Sequence, residues 1–180
     1  VAKINRRAGG NPRMKWLGMA LLLLAQEGPK EDFQARFAKI GKGAAGRHFS
    51  IAEFLSTAKM HLWAREQCWK ALECDPDHAA ARKKLGYKKG DDGWEIDASV
   101  KQEFSNQKQG DDAERIRKKY NERVEALRDL SRPFLELGHW CRKNKLEAES
   151  AAAFKKALEY DPATPGARKE LGFEKDAKGG

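Results

Sequence analysis

Lys70-Ala71-Leu72-Glu73-Cys74-Asp75-Pro76 is answered 86 residues later by Lys156-Ala157-Leu158-Glu159-Tyr160-Asp161-Pro162. The echo continues past the proline: Ala81-Arg82-Lys83-Lys84-Leu85-Gly86-Tyr87 returns as Ala167-Arg168-Lys169-Glu170-Leu171-Gly172-Phe173. Of the 17 aligned positions from 70 to 86, 11 are identical. A long-period echo of this kind marks one supersecondary unit used twice. It directs expectation towards a scaffold that holds something rather than towards an enzyme pocket.

Outward from the second copy, Leu137 and Cys141 are four apart, as are Phe154 and Leu158, with Ala157 between. These are two helical stripes, not a strand alternation. Asn144-Lys145 reads as the turn between them, and Pro162 stops the second helix near Tyr160-Asp161. Gly138, Ser150 and Ala157 are small enough to let the two backbones approach, with Phe154 as the knob that fills the gap. The shared tail predicts a short third helix in each copy, ended by Gly86 or Gly172 at its C′ position.

Leu137-Gly138, Ser150, Phe154, Ala157 and Pro162 have the spacing of the tetratricopeptide repeat, and the second copy resembles that family. Phe134 and Cys141 stand where the signature prefers Trp and Tyr. In the first copy Ile51, Ala52, Leu55, Ala64, Cys68, Ala71, Leu72 and Pro76 take the same places, with Ala52 for Gly and Cys68 for Phe, so looser packing is expected there. The resemblance covers about half the chain, residues 45–87 and 131–173. It implies an all-α fold of helical hairpin repeats, an α-solenoid, here with an inserted connecting helix.

That insertion occupies 88–133. A polar stretch with Gly90, Gly93 and Gly110 comes first, in which Trp94 and Ile96 are expected to tack the segment onto the first repeat. A helix follows, N-capped near Asp111-Asp112, with Ile116, Tyr120, Val124, Leu127 and Leu130 on one face as a brace between the repeats. The remaining divisions are 1–28, 29–87 (a capping helix and the first unit) and 134–180 (the second unit). The capping helix is expected to start at Pro29, to present Phe33, Phe37 and Ile40 to the first repeat, and to stop at Gly41.

The net charge of +9 suggests nucleic acid, but residues 1–50 carry +7 of it and the repeats almost none. Nucleic acid is therefore not expected as a partner. Met14-Lys15 precedes an apolar run, Trp16 to Ala25, and then polar Gln26-Glu27, which is the pattern of a secretory signal. Ten residues span ~15 Å as a helix, too little for a bilayer, so membrane contact would be transient. The expected location is periplasmic or secreted; if 14–25 is instead a core helix, the chain is cytoplasmic. Residues 1–13, before Met14, are expected to come from a misassigned upstream start, and the second copy's halt at Gly179-Gly180, where the first reaches Trp94, suggests a longer protein.

Chemistry is sparse. His48, His61, His78 and His139 have no ligand spacing, no phosphate loop is present, and no nucleophile has a base at a recognisable distance. No catalytic residue, metal or cofactor is expected, and Cys68 and Cys141 read as core filler. The resemblance implies a ligand groove along the first helix of each repeat: Phe49, Glu53, Ser56 and Thr57, then Arg132, Leu135, His139, Arg142 and Lys143. The second set is cationic, which favours an acidic or carboxylate-ended peptide, although the Asn residues of the carboxylate-clamp subgroup are missing at Glu53 and His139. A protein- or peptide-binding scaffold is thus the expected function. The rivals are a non-catalytic domain of a larger extracytoplasmic hydrolase and a nucleic-acid binder.

Overall fold

The computed structural model describes residues 12–100, 105–108 and 110–173, with side chains from residue 28 onwards. Residues 1–11, and with them most of the expected upstream segment, lie outside the described residues, as do the side chains of the 14–25 run. The fold is mostly helical. In order come α1 (Pro12–Thr57), α2 (His61–Cys74), α3 (Ala79–Lys84), strands β1 (Tyr87–Gly90) and β2 (Gly93–Ile96), and α4 (Gly110–Glu125). A 3-10 turn (Ala126–Leu130) then leads into α5 (Ser131–Lys143), α6 (Glu147–Tyr160) and α7 (Pro165–Glu170).

The echo in sequence is an echo in structure. The end of α1 with α2 and α3, and α5 with α6 and α7, are each a helical hairpin followed by a short third helix. Matched details recur. Lys59 and Lys145 both take positive φ (61° and 59°) in the hairpin turn, and Met60 and Leu146 after them are both buried. Gly86 and Gly172 follow the third helices with φ of 82° and 77°, where a Cβ would be strained. Inside the second hairpin a Cβ on Gly138 would sit 2.3 Å from Phe154 Cε1, and Ser150 Oγ donates to the Gly138 carbonyl (3.0 Å). In the first hairpin Ala52 and Cys68 are both fully buried, so the smaller knob meets a larger floor.

Three expectations need correction. First, Pro29 does not open a helix and Gly41 does not close one; both lie inside the 46-residue α1. Burial along α1 outweighs the weak glycine propensity. Gly41 serves a crossing instead: a Cβ there would lie 2.6 Å from the Cys74 carbonyl at the end of α2. Second, Phe33, Phe37 and Ile40 do not cap the first repeat. They pack against the second, with Leu137, Cys141, Leu146 and Ala153, and Phe37 lies 5.4 Å from Phe134. Helix α1 therefore serves both units, its later half holding Ala44, Ala45, Ile51, Ala52 and Leu55 in the core of the first.

Third, the fold is not purely α. Tyr87–Gly90 and Gly93–Ile96 form an antiparallel hairpin around Asp91-Asp92, with Lys89 opposite Trp94 and Lys88 bridged to Glu95 (3.4 Å). Four-residue strands are too short for their alternation to stand out in sequence. Ile96 is 75 % exposed and tacks nothing down, whereas Trp94 does lie against Arg82 of α3. Further on, Asn106 Oδ1 accepts from the Leu62 amide (3.1 Å), capping α2, whose own N-cap residue Met60 has no capping side chain.

The brace helix α4 lays Ile116, Tyr120 and Val124 on a core shared by α1 and α2, to which Leu127, Leu130 and Tyr160 also contribute. Pro133 explains the 3-10 turn before α5, since its ring would clash with the carbonyl four residues back in a regular α-helix.

Candidate functional site

The expected groove residues divide between two helices. On α1, Glu53 and Thr57 are exposed, Ser56 is half-buried, and Thr57 Oγ1 donates to the Glu53 carbonyl (3.0 Å). Phe49 is half-buried against the His78 ring at 5.0 Å. On α5, Arg132, Arg142 and Lys143 are exposed, while His139 meets Phe154 edge-on at 5.2 Å. Arg132 donates to Glu136 (2.9 Å) and Arg142 is paired with Glu170 of α7. Leu135 touches Gly166 of α7. These contacts hold each set inside its own unit; the contacts that join the units run elsewhere.

Besides α1, the units meet at a cleft of about 240 Å³ between the ends of α2 and α6. Its lining includes Lys70 and Lys156, Glu73 and Glu159, Cys74 and Tyr160, three pairs of positions 86 apart. The last pair touches: Cys74 Sγ and the Tyr160 hydroxyl are 3.2 Å apart. In a head-to-tail stack, one face of a repeat meets a different face of the next. Equivalent residues meet each other only when two copies are turned face to face, as across a two-fold axis. One such equivalent pair, Cys74 and Tyr160, meets across the cleft.

His48, at 7 % exposure, adds a buried imidazole to the same cleft. Gln67 Nε2 donates to the Tyr120 hydroxyl (3.0 Å), so Gln67 Oε1 faces His48 and Nδ1 of the ring donates to it (2.8 Å). Burial lowers the His48 pKa, only partly offset by the Gln67 bond, and so favours the neutral ring. Burial works against the charge of Lys70, but its bond to Glu66 (3.0 Å) and that carboxylate's charge outweigh it, and its pKa is raised. Tyr160 is held protonated by burial and by its Cys74 contact. The cleft thus presents two ammonium groups, two carboxylates and a neutral imidazole, which suits charge-assisted hydrogen bonding.

Burial also pushes the Cys68 and Cys141 thiols up to about 11, the behaviour of packing groups rather than nucleophiles. They lie in different core clusters, and all three cysteines are free. Among the described residues no group of His, Cys, Asp and Glu could hold a metal ion, and no helix is long and apolar enough to cross a membrane. Comparison with known proteins found no matching family model, curated protein or solved structure.

Sequence reading missed the cleft although its signal was present. The Lys-x-x-Glu identity at 70–73 and 156–159 contributes Ala71, Leu72 and Ala157 to the core, whereas its half-buried lysines and exposed glutamates had no core-packing reason to recur.

Proposed function

We propose that this chain is a non-enzymatic, tetratricopeptide-type scaffold that binds a protein or peptide segment outside the cytoplasm. The observation that carries the proposal is the twice-built hairpin with its short third helix, whose small residues and knobs are spent on the interior. That leaves the first-helix faces polar: Glu53 and Thr57 on α1, Arg132, Arg142 and Lys143 on α5. The cationic α5 face favours an acidic peptide, by Coulomb attraction that steers association and fixes register. The extracytoplasmic placement rests on the basic, apolar and polar succession from Met14 to Glu27.

A selection from a peptide library tests the binding. Enriched peptides should be acidic, should shift amide signals of α5 in NMR spectra, and should lose affinity for an Arg132→Glu, Lys143→Glu double variant of unchanged helicity. Enrichment of neutral peptides, or binding indifferent to the double variant, would reject the groove. Mass spectrometry of the mature amino terminus tests the compartment, with cleavage near Ala25 the expected outcome.

A further inference from the structure

The cleft between the units is built from both of them, and its charges come in matched pairs. Lys70 and Glu73 belong to α2, Lys156 and Glu159 to α6, each lysine three residues before its glutamate. Val124 of α4 and Leu127 of the 3-10 turn add apolar surface, and His48 of α1 and Tyr160 of α6 add rings. The lining runs from His48 to Tyr160 and takes nothing from either end of the chain.

These groups keep hydrogen-bonding capacity that the protein does not use. Lys156 Nζ bonds Glu159 at 2.5 Å, and Lys70 Nζ bonds Glu66, outside the lining, at 3.0 Å. An ammonium group has three donors, so each lysine can serve a second acceptor. Glu73 acts on His48, Lys70 and Tyr160 through its charge and without a hydrogen bond, which leaves room between them. The His48 ring, with Nδ1 donating to Gln67, keeps a lone pair at Nε2. Charge then narrows the choice of occupant. A simple anion would be repelled by Glu73 and Glu159, and a simple cation by Lys70 and Lys156. A molecule carrying both signs is attracted at each end. It must also be small, because sites for drug-sized ligands run to ~300–1,000 Å³ and this cleft holds about 240 Å³.

We infer that the cleft binds a free α-amino acid with an aliphatic side chain. Its carboxylate would accept hydrogen bonds from the Lys70 and Lys156 ammonium groups. Its own ammonium group would donate to Glu73 and to His48 Nε2, and charge-assisted bonds of this kind are the strong ones. The side chain would lie on Val124 and Leu127 and leave water there. A longer peptide fits less well, since each added residue carries one charged end up to ~3.3–3.6 Å further from the other. The ligand would tie α2 of the first unit to α6 of the second. The site lies between the units and not on the first-helix faces, so it goes beyond the peptide-binding proposal and fails separately from it.

The probe is leucine, titrated into the full chain and followed by calorimetry and NMR. Two analogues accompany it: isocaproate, which lacks the amino group, and isoamylamine, which lacks the carboxylate. We expect saturable binding of leucine, with signals of His48, Glu73 and Tyr160 shifting. Either analogue should bind about tenfold more weakly or not at all, having lost one set of charge-assisted bonds. Glycine, with no side chain to cover the apolar surface, should also bind more weakly. Glu73→Gln, at an exposed position, and Lys156→Gln should each weaken leucine by about tenfold while circular dichroism stays unchanged. An analogue that equals leucine would overturn the inference by making the cleft a simple anion or cation site. So would affinity unchanged in both variants, or no binding of leucine. Shifts confined to Arg132 and Lys143 on α5 would also overturn it, by sending the ligand to the first-helix face.

Discussion

Phe154 and Gly138 share one volume that Cys68 and Ala52 divide differently, and the two units thereby act as each other's control. Phe154→Ala should cost ~3–5 kcal/mol in urea denaturation, as for a fully buried aromatic. Gly138→Ala should cost about 1–3 kcal/mol by overpacking, since its Cβ would meet the Phe154 ring. Adding Phe154→Cys, which reproduces the first unit's pair, should recover the overpacking cost; simple additivity of the two changes would refute the shared volume. At His48 the linkage has a defined sign. Its folded pKa lies below the ordinary histidine value of 6.5, so the folded state binds fewer protons and stability falls as pH drops through and below that value. Urea midpoints at pH 7.5 and 5.5 should differ in the wild type and converge in His48→Gln. The Asp129 carboxylate, lowered chiefly by its bond to Arg47, loses its contribution only as pH falls below its ordinary value near 3.8, outside that window. The Phe154–Gly138 pairing was legible because its members sit at fixed spacings within one hairpin. The His48 network was not, because Gln67 is 19 residues from His48 and Tyr120 a further 53 from Gln67, on elements whose contact no local pattern encodes.

Three glycines of α1 separate propensity from packing at the level of the element. Gly43 and Gly46 have nothing within 4 Å of an added Cβ, so alanine at either should stabilise by up to ~1 kcal/mol, the helix-propensity difference. Gly41→Ala should destabilise despite the same intrinsic gain, because its Cβ would meet the Cys74 carbonyl, a backbone atom that cannot rotate away. Thermal denaturation of the three variants gives the comparison, and a gain at all three would remove the crossing from consideration. Sequence reading took Gly41 as a stop since glycine ends helices more often than it spans them; only the approach of α2, over 30 residues later, reveals its other use. Helices α2 and α6 were legible from apolar spacing and from Pro76 and Pro162. The β1–β2 hairpin was not, being four residues a side with no buried face of its own.

For the molecule as a whole, the repeat predicted two like units but not how they meet. That depends on the cleft pairs at 70 and 156, 73 and 159, and 74 and 160, and on α1, whose Phe33, Phe37 and Ile40 lie against α5 and α6. Phe37→Ala should cost about 2 kcal/mol, less than a fully buried ring. It should raise amide exchange in α5 and α6 before α2 and α3; an equal rise in both units would show that α1 does not divide its duties. The sharing also has a consequence for biosynthesis. Phe33, Phe37 and Ile40 are made early, yet Ala153 and Phe154 follow them by more than 100 residues. At ~5–20 residues per second, that apolar stripe is made roughly 6–24 s before its α6 partners. During that interval a nascent chain of this kind is a natural client for a holding chaperone, and ribosome-bound chains stalled before α5 should bind one more strongly than chains stalled after α6.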